Sequence, residues 1–368
     1  MAKRMNVAIS LVLCVCALPW IAFGAEPAPA AASNAVQTAQ QLVAAMKKAA
    51  KATGNRMAGL SAVKPRTPYR GALAVDAATG DVLFQDNADV KAHPASCTKM
   101  MTLLLVLEDL RAGRYALSDK VAASAYAATF RGSSLGVKAG EALTVDDLLY
   151  ALMVRSANDG AVMLAEHSSG RLGEASLPTP PGRARSPSGP NGGRLGEASL
   201  PESESKRLVR AFVDRMNRRA LELGMKDTRF VSPNGMTPYL NQAYPGFDTS
   251  TAADLARLAR HLVTIPEAFK YTSCAARTIA LGDKDVSLAA HNYFLPGTRD
   301  PQNYATPVPG CDGLKTGFTD SAGASVVLTA QRGGRRVVVA VLGCAGRRAR
   351  ETAAARILRA ALDAASAR

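Results

Sequence analysis

The chain reads as an α+β protein in which one antiparallel β-sheet, built from N- and C-terminal segments, is covered by helices. Three observations carry this reading. Strand-like patterns fall near both ends of the 368-residue sequence. Helical periodicity dominates the stretch between them. The last three strand patterns are joined by short turns, one at Gly323 and one at Gly333-Gly334, as in an antiparallel meander. Strands gathered at both ends, with helices between, suit a helix-covered antiparallel sheet.

Taken in order, residues 69–76 and 81–85 read as two strands joined by a turn at Gly80. Pro94 precedes a long apolar run at 100–110, the pattern of a buried helix. Thr144 opens a further helix, with Asp146 and Asp147 in its first turn and Leu148, Leu149, Leu152 and Met153 on its inner face. Helical patterns resume at 206–223 and 251–262. Strands are expected at 277–281, 286–291, 313–318, 325–331 and 336–342, and a helix at 350–364.

The N-terminus has the form of a secretory signal over 1–24. Lys3 and Arg4 supply a basic start, residues 6–24 are almost wholly apolar, and Ala22-Phe23-Gly24 offers small residues for cleavage. Export to the periplasm or cell envelope, and solubility after cleavage, are therefore expected. Residues 25–65 are rich in Ala, Lys and Gln and read as a flexible or helical lead-in. The main domain is expected over 66–368, interrupted at 168–205 by a Pro-, Gly- and Ser-rich insertion. That insertion contains a perfect octapeptide repeat: residues 171–178 return as 194–201.

A formal charge of +15 favours polyanionic surroundings outside the cytoplasm. Export, few aromatics and no recognisable motif argue against nucleic acid as a partner. Cys97, Cys274, Cys311 and Cys344 fit no zinc spacing, and His93, His167, His261 and His291 show no ligand pattern, so no metal is expected. An oxidising compartment would permit a disulfide, but the spacing fixes no pairing.

Three short motifs carry the chemistry. Ser96 and Lys99 stand three apart at a helix start, so their side chains share a face. A serine hydroxyl is a weak nucleophile until a base takes its proton, and an amine does so only when neutral. Burial and a second cation would both depress the Lys99 pKa. Ser156-Ala157-Asn158 falls in a turn between two helical patterns, where a hydroxyl and a carboxamide can face a cleft. Lys315-Thr316-Gly317 lies in a strand pattern, where an edge strand backed by glycine can open a groove with fixed positive charge. Each motif alone is ordinary; in this order they describe an acyl-transfer site without histidine or metal.

The set Ser-x-x-Lys, Ser-x-Asn and Lys-Thr-Gly resembles the penicillin-recognising serine enzymes. The flanks at 93–102, 214–228 and 312–317 look like the D-alanyl-D-alanine carboxypeptidases, the low-molecular-mass penicillin-binding proteins. The resemblance covers roughly 66–365 apart from the insertion. It implies a β-lactamase/transpeptidase-like fold with an all-helical subdomain beside the sheet. By the same resemblance, Ser96 would attack the penultimate D-alanine carbonyl of a peptidoglycan stem peptide, with Lys99 as general base. Ser156 would relay a proton to the leaving D-alanine and Asn158 would orient the peptide. Lys315, Thr316 and Gly317 would line the groove for the terminal carboxylate, and the backbone N–H groups of Ser96 and Phe318 would form the oxyanion hole. β-Lactams would acylate the same serine, and no cofactor is implied.

Two departures from the family pattern stand out. Phe318 occupies a position often held by histidine in carboxypeptidases and by phenylalanine in related endopeptidases, which keeps a D,D-endopeptidase as the alternative. The family's C-terminal β-rich module and amphipathic anchor are absent, so no C-terminal membrane anchor is expected. A serine β-lactamase would need a deacylation base; Glu166 qualifies by type alone and reads as structural or solvated. A silent cell-wall binding module would have no need of Ser96, Lys99 and Lys315 together.

Overall fold

The structure, a computed structural model, describes residues 68–175, 202–236 and 246–366. The expected signal segment, the lead-in and the second copy of the octapeptide lie outside the described residues. Five strands form the main antiparallel sheet: β1 (Gly71–Asp76), β2 (Val82–Asp86), β7 (Cys311–Thr319), β8 (Gly323–Arg332) and β9 (Arg335–Cys344). Their order is β2-β1-β9-β8-β7, so the last strand of the chain closes against the first, with Gly71 opposite Leu342 and Asp76 opposite Val337. The sheet is thus built from both ends of the sequence, as expected.

Val337 to Leu342 are fully buried in succession, which requires cover on both faces of β9. The helices α5 (Ala252–Leu262) and α7 (Arg347–Ser366) both pack against β9. Thr251 caps α5, its Oγ accepting the Asp254 N–H at 3.0 Å.

The chemistry hangs on α1 (Lys99–Arg111). Met100 to Leu107 are all buried, so this helix is covered around its whole circumference and runs through the core. Against it pack α3 (Asn158–Ala175) and α4 (Glu202–Glu222), with α2 (Val145–Tyr150) packed on α3, to form the helical subdomain. Buried Asp109 ties these helices together: it accepts from Arg215 Nη2 at 2.6 Å and Arg114 Nε at 2.8 Å, and Ser168 Oγ also donates to it.

Several expectations need correction. The insertion does not begin at 168 or end at 205: α3 runs on to Ala175 and α4 starts at Glu202. Residues 168–170 continue the buried and half-buried face of α3, and Ser205 is fully buried on α4. The strands expected at 277–281 and 286–291 do not join the main sheet. They form a separate hairpin, β5 (Ala276–Leu281) with β6 (Lys284–Ala289), turning at Gly282 with φ +57°. Only Ile279, Leu281 and Leu288 are buried in it, which suits a one-sided ribbon rather than an interior strand. The short pair β3 (Lys120–Ala122) with β4 (Ala142–Thr144) and the short α6 (Pro266–Thr272) were not foreseen.

Candidate active site

Ser96 stands in a 3₁₀ turn, Ala95–Thr98, just ahead of α1 rather than inside it. Two glycines clamp that turn. A Cβ on Gly317 of β7 would lie 2.6 Å from the Pro94 carbonyl oxygen and 3.1 Å from the Ser96 nitrogen. A Cβ on Gly235 would lie 1.9 Å from the Ala95 oxygen, and Gly235 itself has φ +79°. Only backbone without a side chain passes this close. Ala95 takes φ +50°, a left-handed conformation for a non-glycine residue. Buried Cys97 adds a third tie, its thiol donating to the Lys315 carbonyl at 3.6 Å.

The Lys99 side chain is completely buried. Its Nζ lies 3.0 Å from Ser96 Oγ, 2.8 Å from Asn158 Oδ1 and 2.6 Å from the Asn234 carbonyl oxygen. A neutral amine carries two N–H groups and one lone pair. Asn158 Oδ1 and the Asn234 carbonyl only accept, so they take both hydrogens. The third neighbour, the Ser96 hydroxyl, accepts from the ammonium and can donate to the lone pair once the amine is neutral. Burial drives the Lys99 pKa well below the ordinary lysine value, and the positive charge of Lys315 adds to that shift, against the opposing pull of Asp248 and Asp159. Burial and the neighbouring cation thus both favour the uncharged form of this amine, which sits within reach of Ser96 Oγ.

Ser156 ends a π-turn over Ala151–Arg155 and adopts φ 62°, ψ 35°. A left-handed serine costs ~1–3 kcal/mol and persists where surrounding structure enforces it. Here the flanking amides are held: Ala157 N–H donates to the Ala151 carbonyl at 2.9 Å and Asn158 N–H to the Ser133 carbonyl at 2.8 Å. The result aims Ser156 into the cleft. Two variants separate strain from function. Ser156→Gly should raise or preserve the melting temperature, because it relieves the backbone, whereas Ser156→Ala should not. Both should lower turnover at least about 10²-fold, the usual scale for a lost proton-transfer group; calorimetry and steady-state kinetics check the pair.

Asn158 begins α3, but its carboxamide does not cap that helix. Oδ1 accepts from Lys99, and Nδ2 donates to the Arg131 carbonyl at 2.8 Å. It is buried and does not line the cleft. The geometry makes it a holder of the base rather than a wall of the groove.

On the other side stands β7, an edge strand of the main sheet. Thr316, Gly317 and Phe318 line a cleft of about 320 Å³ together with Ser96, Ser133 and Ser156. Phe318 is 52% exposed at this wall. Lys315 lies behind it, buried, its Nζ donating to the Thr316 carbonyl at 3.0 Å. Burial pushes the Lys315 ammonium down to about 8, and the charge of Arg350 acts in the same direction. At neutral pH Lys315 is still mostly protonated, while Lys99 is driven further toward its uncharged form.

Sequence reasoning missed the Asn234 carbonyl, Gly235, Arg350, Arg347, His291 and Tyr293. Arg350 is buried at the cleft and directs Nη1 at the Gly317 carbonyl, 3.5 Å away, while Nη2 pairs with Glu351. A Pro-Asn-Gly turn and an Arg-rich helix start were the available signals, but neither shows where a carbonyl or guanidinium will point. Glu166 is buried rather than solvated; it accepts from Ser124 Oγ at 2.8 Å, burial pushes it up to about 7, and it does not line the cleft. The four described cysteines are all free.

Solved structures share this architecture. A peptidoglycan synthesis regulatory factor, PBP3, from Streptococcus pneumoniae superposes with a TM-score of 0.63 at 28% identity, over 81% of this chain and 74% of that one. Penicillin-binding protein D2 of Listeria monocytogenes, in its ampicillin-bound form, gives 0.58 at 26% identity, over 83% of this chain and all of that one. Sheet, buried central helix and Ser–Lys cleft place the molecule in the penicillin-binding class of β-lactamase-like folds. Within that class the chain belongs to the D-alanyl-D-alanine carboxypeptidase family, peptidase S11, whose model matches residues 60–174 and 208–346. The D-alanyl-D-alanine carboxypeptidase DacF of Bacillus subtilis is 30% identical over 274 residues, 74% of this chain and 57% of DacF. The chain thus spans less than two thirds of the length of the curated relatives it matches first. Among the described residues no helix is long and apolar enough to cross a membrane.

Proposed function

We propose that this protein is an exported serine D,D-carboxypeptidase that removes the terminal D-alanine from peptidoglycan stem pentapeptides and is acylated by β-lactams. The carrying observation is Lys99: completely buried, with two acceptors on its hydrogens and the Ser96 hydroxyl at its third contact. Family membership, the DacF likeness and the ampicillin-bound relative support the same reading.

In the reaction, Ser96 Oγ attacks the penultimate D-alanine carbonyl as its proton passes to Lys99. The developing oxyanion faces backbone N–H groups of the clamped serine turn and of Phe318 on the edge strand. Collapse breaks the peptide bond, and the proton held by Lys99 passes through Ser156 to the departing amine, leaving an ester on Ser96 and Lys99 neutral again. Water then attacks that ester, giving up a proton to Lys99, which returns it to Ser96 Oγ as the free acid leaves. Thr316 on the wall, with the Lys315 charge behind it, receives the terminal carboxylate.

The test is incubation of the purified protein with a pentapeptide ending in D-Ala-D-Ala, with mass analysis of products. Stoichiometric release of D-alanine is expected. Cleavage of cross-linked dimers without D-alanine release would favour the endopeptidase reading, for which Phe318 at the cleft wall speaks. Rapid turnover of penicillin would favour a β-lactamase.

A further inference from the structure

The cleft has a second cationic feature that the reaction above does not use. Arg347, in the first turn of α7, lines the same cavity as Ser96. Its guanidinium is held from two sides. Nη2 donates to Asp300 Oδ1 at 3.0 Å, and Cζ sits 5.2 Å from the centre of the Tyr293 ring, which also lines the cavity. Asp300 is itself fixed: its fully buried side chain accepts the backbone N–H groups of Gln302 and Tyr304, each at 3.0 Å, and Ala305 at 3.1 Å. Asp300, locked by the amides of its own loop, in turn holds Arg347 in place. Among the described residues Nε and Nη1 of Arg347 have no protein partner, and the side chain remains 32% exposed. Arg350, one turn further along, is committed to Glu351 and the Gly317 carbonyl. No Asp or Glu is among the residues lining the cavity. His291, at the same wall, has its pKa pushed down to about 4, first by desolvation and then by Lys315, Arg155, Arg347 and Arg350, so it adds no charge of its own.

We propose that Arg347, positioned by Asp300 and Tyr293, is a specificity-determining residue that binds a second carboxylate of the substrate. That carboxylate belongs to an acidic side chain on the residue preceding the penultimate D-alanine. The terminal carboxylate already has Thr316 and Lys315, so a clamped guanidinium with two free donor positions serves another anion. A fixed positive charge with unused N–H donors suits a carboxylate better than a neutral amide. The proposal rests on the carboxypeptidase reading and adds the chemical class of the stem peptide.

The experiment compares two pentapeptides ending in D-Ala-D-Ala. They differ only in whether the third residue carries a free side-chain carboxylate or its amide. D-Alanine release by the purified protein gives kcat/KM for each. The wild type should prefer the free acid about tenfold or more, the scale of a charged hydrogen bond, mostly through KM, and the preference should shrink with added salt. Arg347→Gln should bring the ratio close to one, with Arg347→Lys between. A wild-type ratio near one would overturn the proposal without any variant. So would an unchanged ratio in Arg347→Gln, or equal losses on both peptides, which would assign Arg347 to the terminal carboxylate or to folding. Absence of D-alanine release from either peptide by the wild type would overturn the carboxypeptidase reading and this assignment with it. Release of D-alanine with no acid preference would sink this assignment alone.

Discussion

Ser96→Ala should abolish both covalent labelling by benzylpenicillin and release of D-alanine, while leaving the melting temperature nearly unchanged. Among the described residues the Oγ has one protein partner, Lys99 Nζ at 3.0 Å, and the side chain is only half-buried. Its removal leaves the amine with both hydrogens still accepted by Asn158 and Asn234, so no buried donor is orphaned. Chemistry and stability therefore separate cleanly at this position. Retained labelling, read as an adduct in intact-protein mass, would place the nucleophile elsewhere. Cys97, adjacent in sequence, offers no substitute: it is fully buried and its thiol is pushed up to about 11, by burial first.

Lys99→Ala should slow acylation by at least about 10²–10⁴-fold, the range for loss of a positioned general base. This variant also perturbs folding. It leaves Asn158 Oδ1 and the Asn234 carbonyl without their shared donor, at a cost of ~1–3 kcal/mol each. Lys99→Arg provides the control, because a guanidinium donates but does not deprotonate near neutral pH. Stopped-flow acylation by a chromogenic cephalosporin, together with a thermal melt, checks both. If Lys99→Arg acylated at the wild-type rate, the base would have to be another group.

Much of this site is legible in the sequence because its side chains lie in short motifs. Ser96 and Lys99 share a face by spacing alone, and Lys315-Thr316-Gly317 reads as strand. The antiparallel sheet was readable for a similar reason, since turns at Gly323 and Gly333-Gly334 leave little freedom in how β7, β8 and β9 pair. What escaped depends on long-range backbone placement. The Asn234 carbonyl reaches Lys99 from 135 residues away, and no periodicity marks which carbonyl will turn inward. The contact between Gly235 and Ala95 is equally invisible, because a glycine reports only that close approach is permitted. The hairpin of β5 and β6 was recognised as strands but assigned to the wrong sheet: alternation reports one buried face, not which neighbour covers it. Asn158 shows the same limit. Its residue type reads as a groove wall, but the sequence does not show that its Oδ1 also accepts from Lys99 and its Nδ2 also donates to the Arg131 carbonyl.

The central claim is that a buried, uncharged amine deprotonates Ser96 while a second, charged lysine stands behind the opposite wall. The pH dependence of the second-order rate of Ser96 acylation tests it most directly. Acylation requires Lys99 without its proton, so the rate should rise with pH and level off below the ordinary lysine range, following the depressed Lys99 value. It should fall again above about 8, as Lys315 loses the proton that attracts the substrate carboxylate. The expected profile is a bell whose descending limb lies near 8 and whose ascending limb lies well below the ordinary lysine range. A rate that climbs steadily to pH 10, as for an ordinary lysine or for attack by hydroxide, would contradict it.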